Sequence, residues 1–178
     1  MTEAKPSSTA HHHRREAARS LRCVVITVSD TRTPETDTGG DLVARLLADA
    51  GHEVMEREIV KDEPEAIGAG LRQALERRGV GAVVLTGGTG VAPRDVTPES
   101  VEPLLERVVP GFGELFRMLS YEEIGSAALL SRALAGIARG VVVFVVPGSR
   151  GAVRLAMEKL ILPEIGHLAA EAAKASPQ

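Results

Sequence analysis

Three short apolar runs, separated by segments with helical spacing, restrict the fold of this chain more than any other feature. Residues 21–28, 54–60 and 82–85 are rich in valine and other aliphatic residues. Between them, residues 42–50 and 64–75 repeat their apolar positions as an amphipathic helix does. Strands that alternate with helices form right-handed βαβ units. The pattern therefore predicts an α/β fold with a mostly parallel sheet and helices on both of its faces.

The second half of the chain adds one strong strand and several helices to this plan. Residues 141–146 form an unbroken apolar run and predict a buried strand. We expect a short helix at residues 101–105 and an edge strand within residues 129–138. Two further helices are predicted over residues 150–160 and 164–174, the first of them capped by the preceding serine.

Residues 111–124 predict a helix that carries an unusual share of the aromatic side chains. Phe112, Phe116 and Tyr121 all lie here, and the whole chain has only three phenylalanines and one tyrosine. Bulky residues concentrated on one element are typical of a packing surface. The sequence leaves open whether that surface packs within the chain or between subunits.

Composition and charge limit the class of protein. With 178 residues we expect one domain, residues 21–178, after a flexible polar arm at residues 1–20. Adjacent histidines in that arm, His11–His13, lack the fixed geometry of a metal site. A net charge of −3 argues against nucleic acid as a partner. No apolar run is long enough for a membrane span or a signal peptide, so we expect a cytoplasmic protein.

The glycine-rich segment at residues 84–99 is the strongest candidate for a binding site. It follows a predicted strand and contains Gly87, Gly88 and Gly90, which we expect to adopt positive φ and to turn backbone N–H groups toward a ligand. Thr97 is predicted to cap a new helix with Pro98 at its first position. An anion such as phosphate fits this pattern. The alternative is a strand-to-helix connection that binds nothing.

Polar residues follow each of the predicted parallel strands, whose carboxyl ends meet at one edge of the sheet. Ser29-Asp30, Asp62-Glu63 and the glycine segment therefore converge, and Pro147-Gly-Ser149 supplies a second glycine turn. Two such turns can hold two anionic groups. Asp62 and Asp95 can bind Mg²⁺ between phosphate oxygens. The alternatives are that Asp95 only pairs with Arg94 and that Asp62 only begins the next helix.

Several other kinds of site are excluded by their spacing. Neither glycine turn matches the Walker A phosphate loop of P-loop nucleoside triphosphatases or the dinucleotide-binding fingerprint. His52 and His167 lie away from the predicted strand ends, which argues against Ser-His-Asp catalysis. The single cysteine, Cys23, lies in an apolar run and is expected to be a buried core thiol.

Four motifs in order, spread over roughly residues 20–170, resemble the molybdenum cofactor biosynthesis proteins of the MogA/MoaB type. They are Thr27-Val-Ser-Asp30, Thr86-Gly-Gly-Thr-Gly90 with Arg94-Asp-Val-Thr-Pro-Glu99, Leu130-Ser-Arg132 with Ala135-Gly-Ile137, and Pro147-Gly-Ser149. The resemblance implies a three-layer α/β/α fold, assembly as trimers or hexamers, and binding of molybdopterin. Active members adenylylate the pterin's terminal phosphate with Mg-ATP and release pyrophosphate, before molybdate insertion.

The resemblance also implies roles for individual residues. Asp62 and Asp95 match the family's two functional acids, with roles in Mg²⁺ positioning and catalysis. The remaining matched positions are expected to bind the substrates, molybdopterin and ATP: Ser29, Asp30, Thr86, Gly87, Gly88, Thr89, Gly90, Arg94, Ser126, Ser131, Arg132, Pro147, Gly148 and Ser149.

Some features depart from the family pattern. Residues 111–125 resemble the MoaB branch, in which some bacterial members are inactive and lack the Arg-Asp pair of the central motif. This chain retains Arg94-Asp95 and Asp62, while Lys61 and Ser149 replace a common proline and asparagine. We therefore expect a molybdopterin adenylyltransferase that also contacts other cofactor-biosynthesis proteins. The alternatives are a non-catalytic pterin-binding scaffold and, more distantly, an unrelated phosphate-binding α/β enzyme.

Overall fold

The computed structural model describes residues 20–174. In this part of the chain, six strands form one sheet in the order β2-β1-β3-β6-β5-β4. The strands are β1 (Arg22–Val28), β2 (Glu53–Val60), β3 (Val80–Thr86), β4 (Arg107–Val108), β5 (Leu134–Ala138) and β6 (Val141–Val146). The first nineteen positions of the predicted arm, with His11–His13, lie outside the described residues.

Helices connect most of these strands. They are α1 (Thr38–Asp49), α2 (Pro64–Glu76), α3 (Thr97–Val101), α4 (Pro110–Ile124), α5 (Arg150–Ala156) and α6 (Leu162–Lys174). Two 3₁₀ helices, Glu102–Leu104 and Gly125–Leu130, follow α3 and α4 directly. None of the described helices has the length and apolar character needed to cross a bilayer.

The sheet is mostly parallel, as the sequence predicts. Strand β1 pairs in parallel with β2 and β3, and β3 pairs in parallel with β6. Strands β5 and β4 are antiparallel additions beyond β6. All four parallel strands end at the same edge, and that edge carries the polar residues described below.

Buried side chains form two cores, one on each face of the sheet. Val25 and Val84 face a core that includes α1, α4, α5 and α6. Ile26 and Leu85 face the opposite core, which is covered by α2 and by Val101 of α3. The predicted three-layer α/β/α architecture is therefore confirmed.

The thiol of Cys23 belongs to the first of these cores. Its side chain is fully buried. This burial raises the pKa of the Cys23 thiol to about 12, because the charged thiolate is disfavoured away from water. The prediction of a buried core thiol is confirmed.

Two predicted elements differ in the structure. The expected edge strand at residues 129–138 is only Leu134–Ala138, and the outer edge is the two-residue strand Arg107–Val108 instead. The two predicted C-terminal helices are joined through a π-helical turn, Met157–Ile161. Pro163 has no N–H to donate, so one α-helical hydrogen bond cannot form there, and the chain continues through the wider turn.

Helix α1 is capped by a buried aspartate, Asp37, which the sequence analysis does not single out. Asp37 is 2% exposed and caps α1 by accepting the Gly40 N–H at 2.9 Å. Its other carboxylate oxygen accepts from Thr27 Oγ1 at 2.8 Å and from Arg57 Nη2 at 3.2 Å. Asp37 thus joins β1, β2 and the start of α1.

Gly40 provides a test of this packing. A Cβ there would lie 2.2 Å from Asp37 Oδ2 and 2.4 Å from Thr27 Oγ1. We expect Gly40→Ala to lower the free energy of unfolding by about 2 kcal/mol because these partners must separate. Gly151→Ala is the matched control, since no described atom outside its own helix lies within 4 Å of its Cβ position. The control should gain about 0.5 kcal/mol in urea unfolding from helix propensity. Equal effects of the two changes would contradict this account.

Candidate functional site

Four strand ends meet at the carboxyl edge of the sheet, as the sequence predicts. The turns after β3 and β6 are in contact, because Thr86 Oγ1 donates to the Pro147 carbonyl at 3.1 Å and the Gly87 N–H donates to the Val146 carbonyl at 3.1 Å. Asp62, after β2, donates its N–H to Asp30 Oδ1, after β1, at 3.3 Å. Residues that are far apart in sequence thus form one polar rim.

The glycine turn after β3 depends on two glycines for its shape and on a third for space. Gly87 and Gly88 have φ values of 103° and 61°. A Cβ at Gly87 would lie 2.3 Å from the Val28 carbonyl oxygen. Gly90 was expected to share the positive φ but does not. A Cβ at Gly90 would instead lie 2.6 Å from Asp95 Oδ2, so this position lacks a side chain because the carboxylate of Asp95 folds over it.

Thr97 was predicted to cap α3, and this prediction is wrong. The helix begins at Thr97 itself after Val96, so Pro98 is its second residue rather than its first. The Thr97 N–H donates to the Gly88 carbonyl at 2.9 Å, which ties the helix to the glycine turn. Its hydroxyl oxygen is buried and has no hydrogen-bond partner within the described residues. Tertiary packing against the turn therefore replaced the local cap.

Asp62 is the carboxylate in the least favourable surroundings at the rim. Its Oδ1 atom is buried and, in residues 20–174, accepts no hydrogen bond. Burial raises the pKa of Asp62, and the nearby charges of Asp95 and Asp30 raise it further, while the Val96 N–H and Arg94 act in the opposite direction. Asp62 does not cap α2, whose preceding residue is Glu63. Asp62 therefore does not begin the next helix, which was the alternative role left open by the sequence.

Asp95 also does not form the ion pair with Arg94 that the sequence left open as an alternative. Arg94 forms its ion pair with Asp30 across the rim. The Asp95 carboxylate accepts the Ala92 N–H at 3.2 Å within its own loop. Three carboxylates, Asp30, Asp62 and Asp95, thus lie around one glycine turn with Arg94 as a neighbouring cation.

Arg132 reaches the glycine turn from the segment before β5. Its Nε donates to the Thr89 carbonyl at 3.1 Å, and its Nη2 donates to the carbonyls of Gly90 and Asp95 at 2.6 and 2.7 Å. Its Nη1 pairs with Glu99 of α3. The guanidinium therefore contacts the backbone of the turn that the sequence assigned to the substrate.

Two of the serines predicted for the pocket shape the backbone at the rim. Ser149 accepts the Ala152 N–H at 3.3 Å, which confirms the predicted cap of α5. Ser29 accepts the N–H groups of Thr31 and Arg32, in the loop after β1, at 3.2 and 3.1 Å. Both hydroxyl oxygens therefore already accept hydrogen bonds from the protein.

The other two predicted serines lie on or near the 3₁₀ helix that follows α4. Ser131 directly precedes Arg132. Ser126 lines a separate cavity of about 200 Å³ beside Tyr121 and Leu129. The structure thus does not bring Ser126 together with the residues that line the rim cavities.

Two adjoining cavities open at the rim. One, of about 410 Å³, lies between the ends of β1, β3 and β6, and its lining includes Thr86, Gly87, Gly148 and Ser149. The other, of about 650 Å³, lies beside the end of β2, and its lining includes Asp30, Arg57 and Lys61. The two cavities have Ser29, Arg32 and Asp37 in common as lining residues.

Sequence reasoning missed several residues that line these cavities. Among them are the charged residues Arg32, Asp37 and Arg57. The Asp37-Thr-Gly-Gly40 pattern before a helix is a recognisable cap signal and could have indicated the aspartate. Arg57 carries no comparable local signal, because its ion pairs are with Asp37 and Asp41 in a distant part of the chain. Arg32 donates to the Thr36 carbonyl within its own loop at 2.9 Å.

The fold and the rim define a three-layer α/β protein with glycine turns and carboxylates at the carboxyl edge of its sheet. A family described as a probable molybdopterin binding domain matches residues 24–167. The molybdenum cofactor biosynthesis protein B of Bacillus cereus is 52% identical over 160 residues, which is 89% of this chain and 95% of that protein. The chain therefore belongs to the MoaB-type molybdenum cofactor biosynthesis proteins, and the resemblance seen in its motifs is confirmed.

Solved structures agree with this assignment. A crystal structure of a molybdenum cofactor biosynthesis protein B matches with a TM-score of 0.86 at 52% identity, covering 88% of this chain and 98% of that chain. The tungsten cofactor synthesizing protein MoaB from Pyrococcus furiosus matches with a TM-score of 0.78 at 40% identity, covering 87% and 98%. A role in molybdenum cofactor biosynthesis follows from the family.

The surroundings of Asp62 predict a pH-dependent stability. Its pKa is raised on folding, so the folded protein holds this proton more tightly than the unfolded chain, and stability is lost as the pH rises through the folded pKa. We expect Asp62→Asn to be more stable than wild type near neutral pH. In urea unfolding the advantage should shrink as the pH falls to about 4. The exposed neighbour Glu63→Gln is the control and should show no such gain. A destabilised Asp62→Asn at neutral pH would contradict the prediction.

Proposed function

We propose that this protein adenylylates molybdopterin. An oxygen of the pterin's terminal phosphate attacks the α-phosphorus of ATP, the bond from that phosphorus to the bridging oxygen breaks, and pyrophosphate leaves. The observation that supports this reaction is the buried Asp62 oxygen without a partner among the described residues, beside Asp95 and the glycine turn. A carboxylate held in such surroundings lowers stability and is characteristic of a functional site.

The rim offers groups suited to two phosphorylated substrates. Backbone N–H groups at the glycine turn and the amino end of α5 can hold phosphate oxygens without a side-chain charge. Arg94 lies at the mouth of the site, where 67% of its side chain is exposed, and can neutralise phosphate charge. The reaction needs little covalent chemistry from the protein, so positioning and charge stabilisation supply the rate.

The carboxylates suit Mg²⁺ only in part. No group of three or more metal-binding side chains occurs in the described residues. However, Mg²⁺ is usually held by one or two carboxylates together with substrate phosphates and water. Asp62, with its unpartnered oxygen, and Asp95 fit that arrangement. When bound there, Mg²⁺ would neutralise the phosphate charge that develops in the reaction.

The direct test supplies the purified protein with molybdopterin, ATP and Mg²⁺ and follows adenylylated pterin and pyrophosphate. We expect product from the wild type. Asp95→Asn should lower turnover by about 100-fold or more while pterin binding changes little, because charge stabilisation is lost and the pocket is kept. Glu102→Gln, an exposed carboxylate beyond α3, is the control.

A second result would favour a different function. If the wild type binds pterin and yields no product, the chain is a non-catalytic pterin-binding scaffold of the same fold. Parallel loss of binding and turnover in Asp95→Asn would make Asp95 a structural residue.

We also propose that the protein forms a homo-oligomer through α4 and the 3₁₀ helix that follows it. Phe112 and Phe116 of α4 pack inward, and the Phe112 ring lies 5.4 Å from that of Phe144. The outer side of α4 and of the following 3₁₀ helix presents a large apolar surface, which is typical of an interface. A trimer or hexamer would also offer a surface to other proteins of the pathway. The large apolar side chains on the outer side, with exposed fractions of 48–81%, are Leu115, Met118, Tyr121, Ile124, Leu129 and Leu130.

This interface can be tested by charge. We expect the double variant Tyr121→Glu and Leu129→Glu to shift the mass measured by light scattering to that of a monomer, because buried unpaired carboxylates oppose association. Lys159→Glu, at an exposed position of the π-helical turn, should retain the oligomer. A monomeric wild type at micromolar concentration would overturn the proposed assembly.

A further inference from the structure

Arg132 directs its polar groups at the backbone of the glycine turn. Its Nε and Nη2 donate to three carbonyls, those of Thr89, Gly90 and Asp95. Its Nη1 pairs with Glu99, which holds the guanidinium from the opposite side. These contacts use four of the five N–H groups of the guanidinium, so most of its donors serve the protein rather than a substrate.

The three carbonyls determine where three N–H groups point. In a planar trans peptide group, the C=O and the N–H lie on opposite sides. Drawing the carbonyls of residues 89, 90 and 95 toward Arg132 therefore turns the N–H groups of Gly90, Val91 and Val96 away from it. One guanidinium in this way orients several donors of the turn at once.

One of these peptide groups connects Arg132 with Asp62. Arg132 Nη2 holds the Asp95 carbonyl at 2.7 Å, and the N–H of the same peptide group belongs to Val96. The Val96 N–H lowers the pKa of Asp62, and the Asp62 carboxylate lies against the same turn, with Oδ1 2.8 Å from the position of a Cβ at Gly88. A hydrogen bond to the carbonyl also polarises the peptide and strengthens its N–H as a donor. The Asp95 backbone, and so the base of its side chain, is held by the same contact.

The contacts made by Arg132 require an arginine side chain. A guanidinium presents donors in a fixed planar array that can serve several acceptors at once, whereas an ammonium group is a compact charge on a flexible stem. Charge-assisted hydrogen bonds of this kind are about twice as strong as neutral ones. Only 30% of the Arg132 side chain is exposed, which limits competition from water.

We propose that Arg132 is a positioning residue. It fixes the positions of the Asp62 and Asp95 carboxylates through the Asp95–Val96 peptide group and the carbonyls of the glycine turn. This role rests on the adenylylation proposed above. It replaces the direct contact with substrate that the family motif implied for Arg132.

The test compares Arg132→Ala and Arg132→Lys with wild type by two measurements. Turnover with molybdopterin and Mg-ATP should fall by about 100-fold in Arg132→Ala, with KM for pterin within about threefold, because misplacement of the catalytic groups affects the reaction more than binding. Turnover of Arg132→Lys should exceed that of Arg132→Ala by less than about tenfold. Low millimolar guanidinium chloride should raise turnover of Arg132→Ala and leave the wild type unchanged.

The second measurement does not depend on activity. Amide hydrogen exchange of the segment at residues 86–99 should become at least about tenfold faster in both variants, while the strands of the sheet keep their protection. Arg154→Ala, which removes an exposed arginine and its ion pair with Glu158, is the matched control. It should alter neither turnover nor exchange.

The outcomes separate the possible roles. A raised KM with unchanged turnover would show that Arg132 contacts substrate and would overturn the proposal. Unchanged exchange at residues 86–99 would overturn it as well. If the wild type itself gives no product, the adenylylation fails, but faster exchange confined to this segment would still support the positioning of the turn by Arg132.

Discussion

The site depends on the close approach of backbone segments at the ends of three parallel strands. The turn after β3 lies against the turn after β6, so that a Cβ at Gly148 would be 3.2 Å from the Gly87 Cα atom. Gly39, at the start of α1, approaches the Gly148 carbonyl as closely, at 3.1 Å from its Cβ position. Side chains at these positions would separate the strand ends. Their absence lets the polar groups of four strands form one rim.

Two polar centres with opposite characters support that rim. Asp37 is buried, with its partners supplied by Thr27, Gly40 and Arg57, and such a satisfied group makes the scaffold rigid. Asp62 keeps a buried oxygen that no described residue satisfies. The first arrangement favours folding, and the second costs stability where a ligand can compensate it. This contrast supports a structural role for Asp37 and the functional role proposed for Asp62.

Much of the fold was predictable because buried parallel strands leave a strong local signal. Val141–Val146 and the strands around β1 are apolar on both faces, and the helices between them show clear periodicity. Local rules failed at Gly90 and Thr97. A glycine in a turn predicts positive φ, and a Thr-Pro pair predicts a helix cap. In the structure, Gly90 makes space for the Asp95 carboxylate, and Thr97 packs against Gly88. Both errors arise where tertiary contacts outweigh local conformational preference.

The α/β class, the glycine turns, the retained acids and the family can all be read from the amino-acid sequence, since they depend on residue type and order. Which groups contact one another is set by the folded chain. It paired Arg94 with Asp30 rather than with Asp95, and it directed Arg132 to the carbonyls of the glycine turn. The physical reason is that hydrogen bonds and charge pairs act over a few ångströms, and separations in sequence of 64 and 42 residues are brought within that range only by the folded sheet.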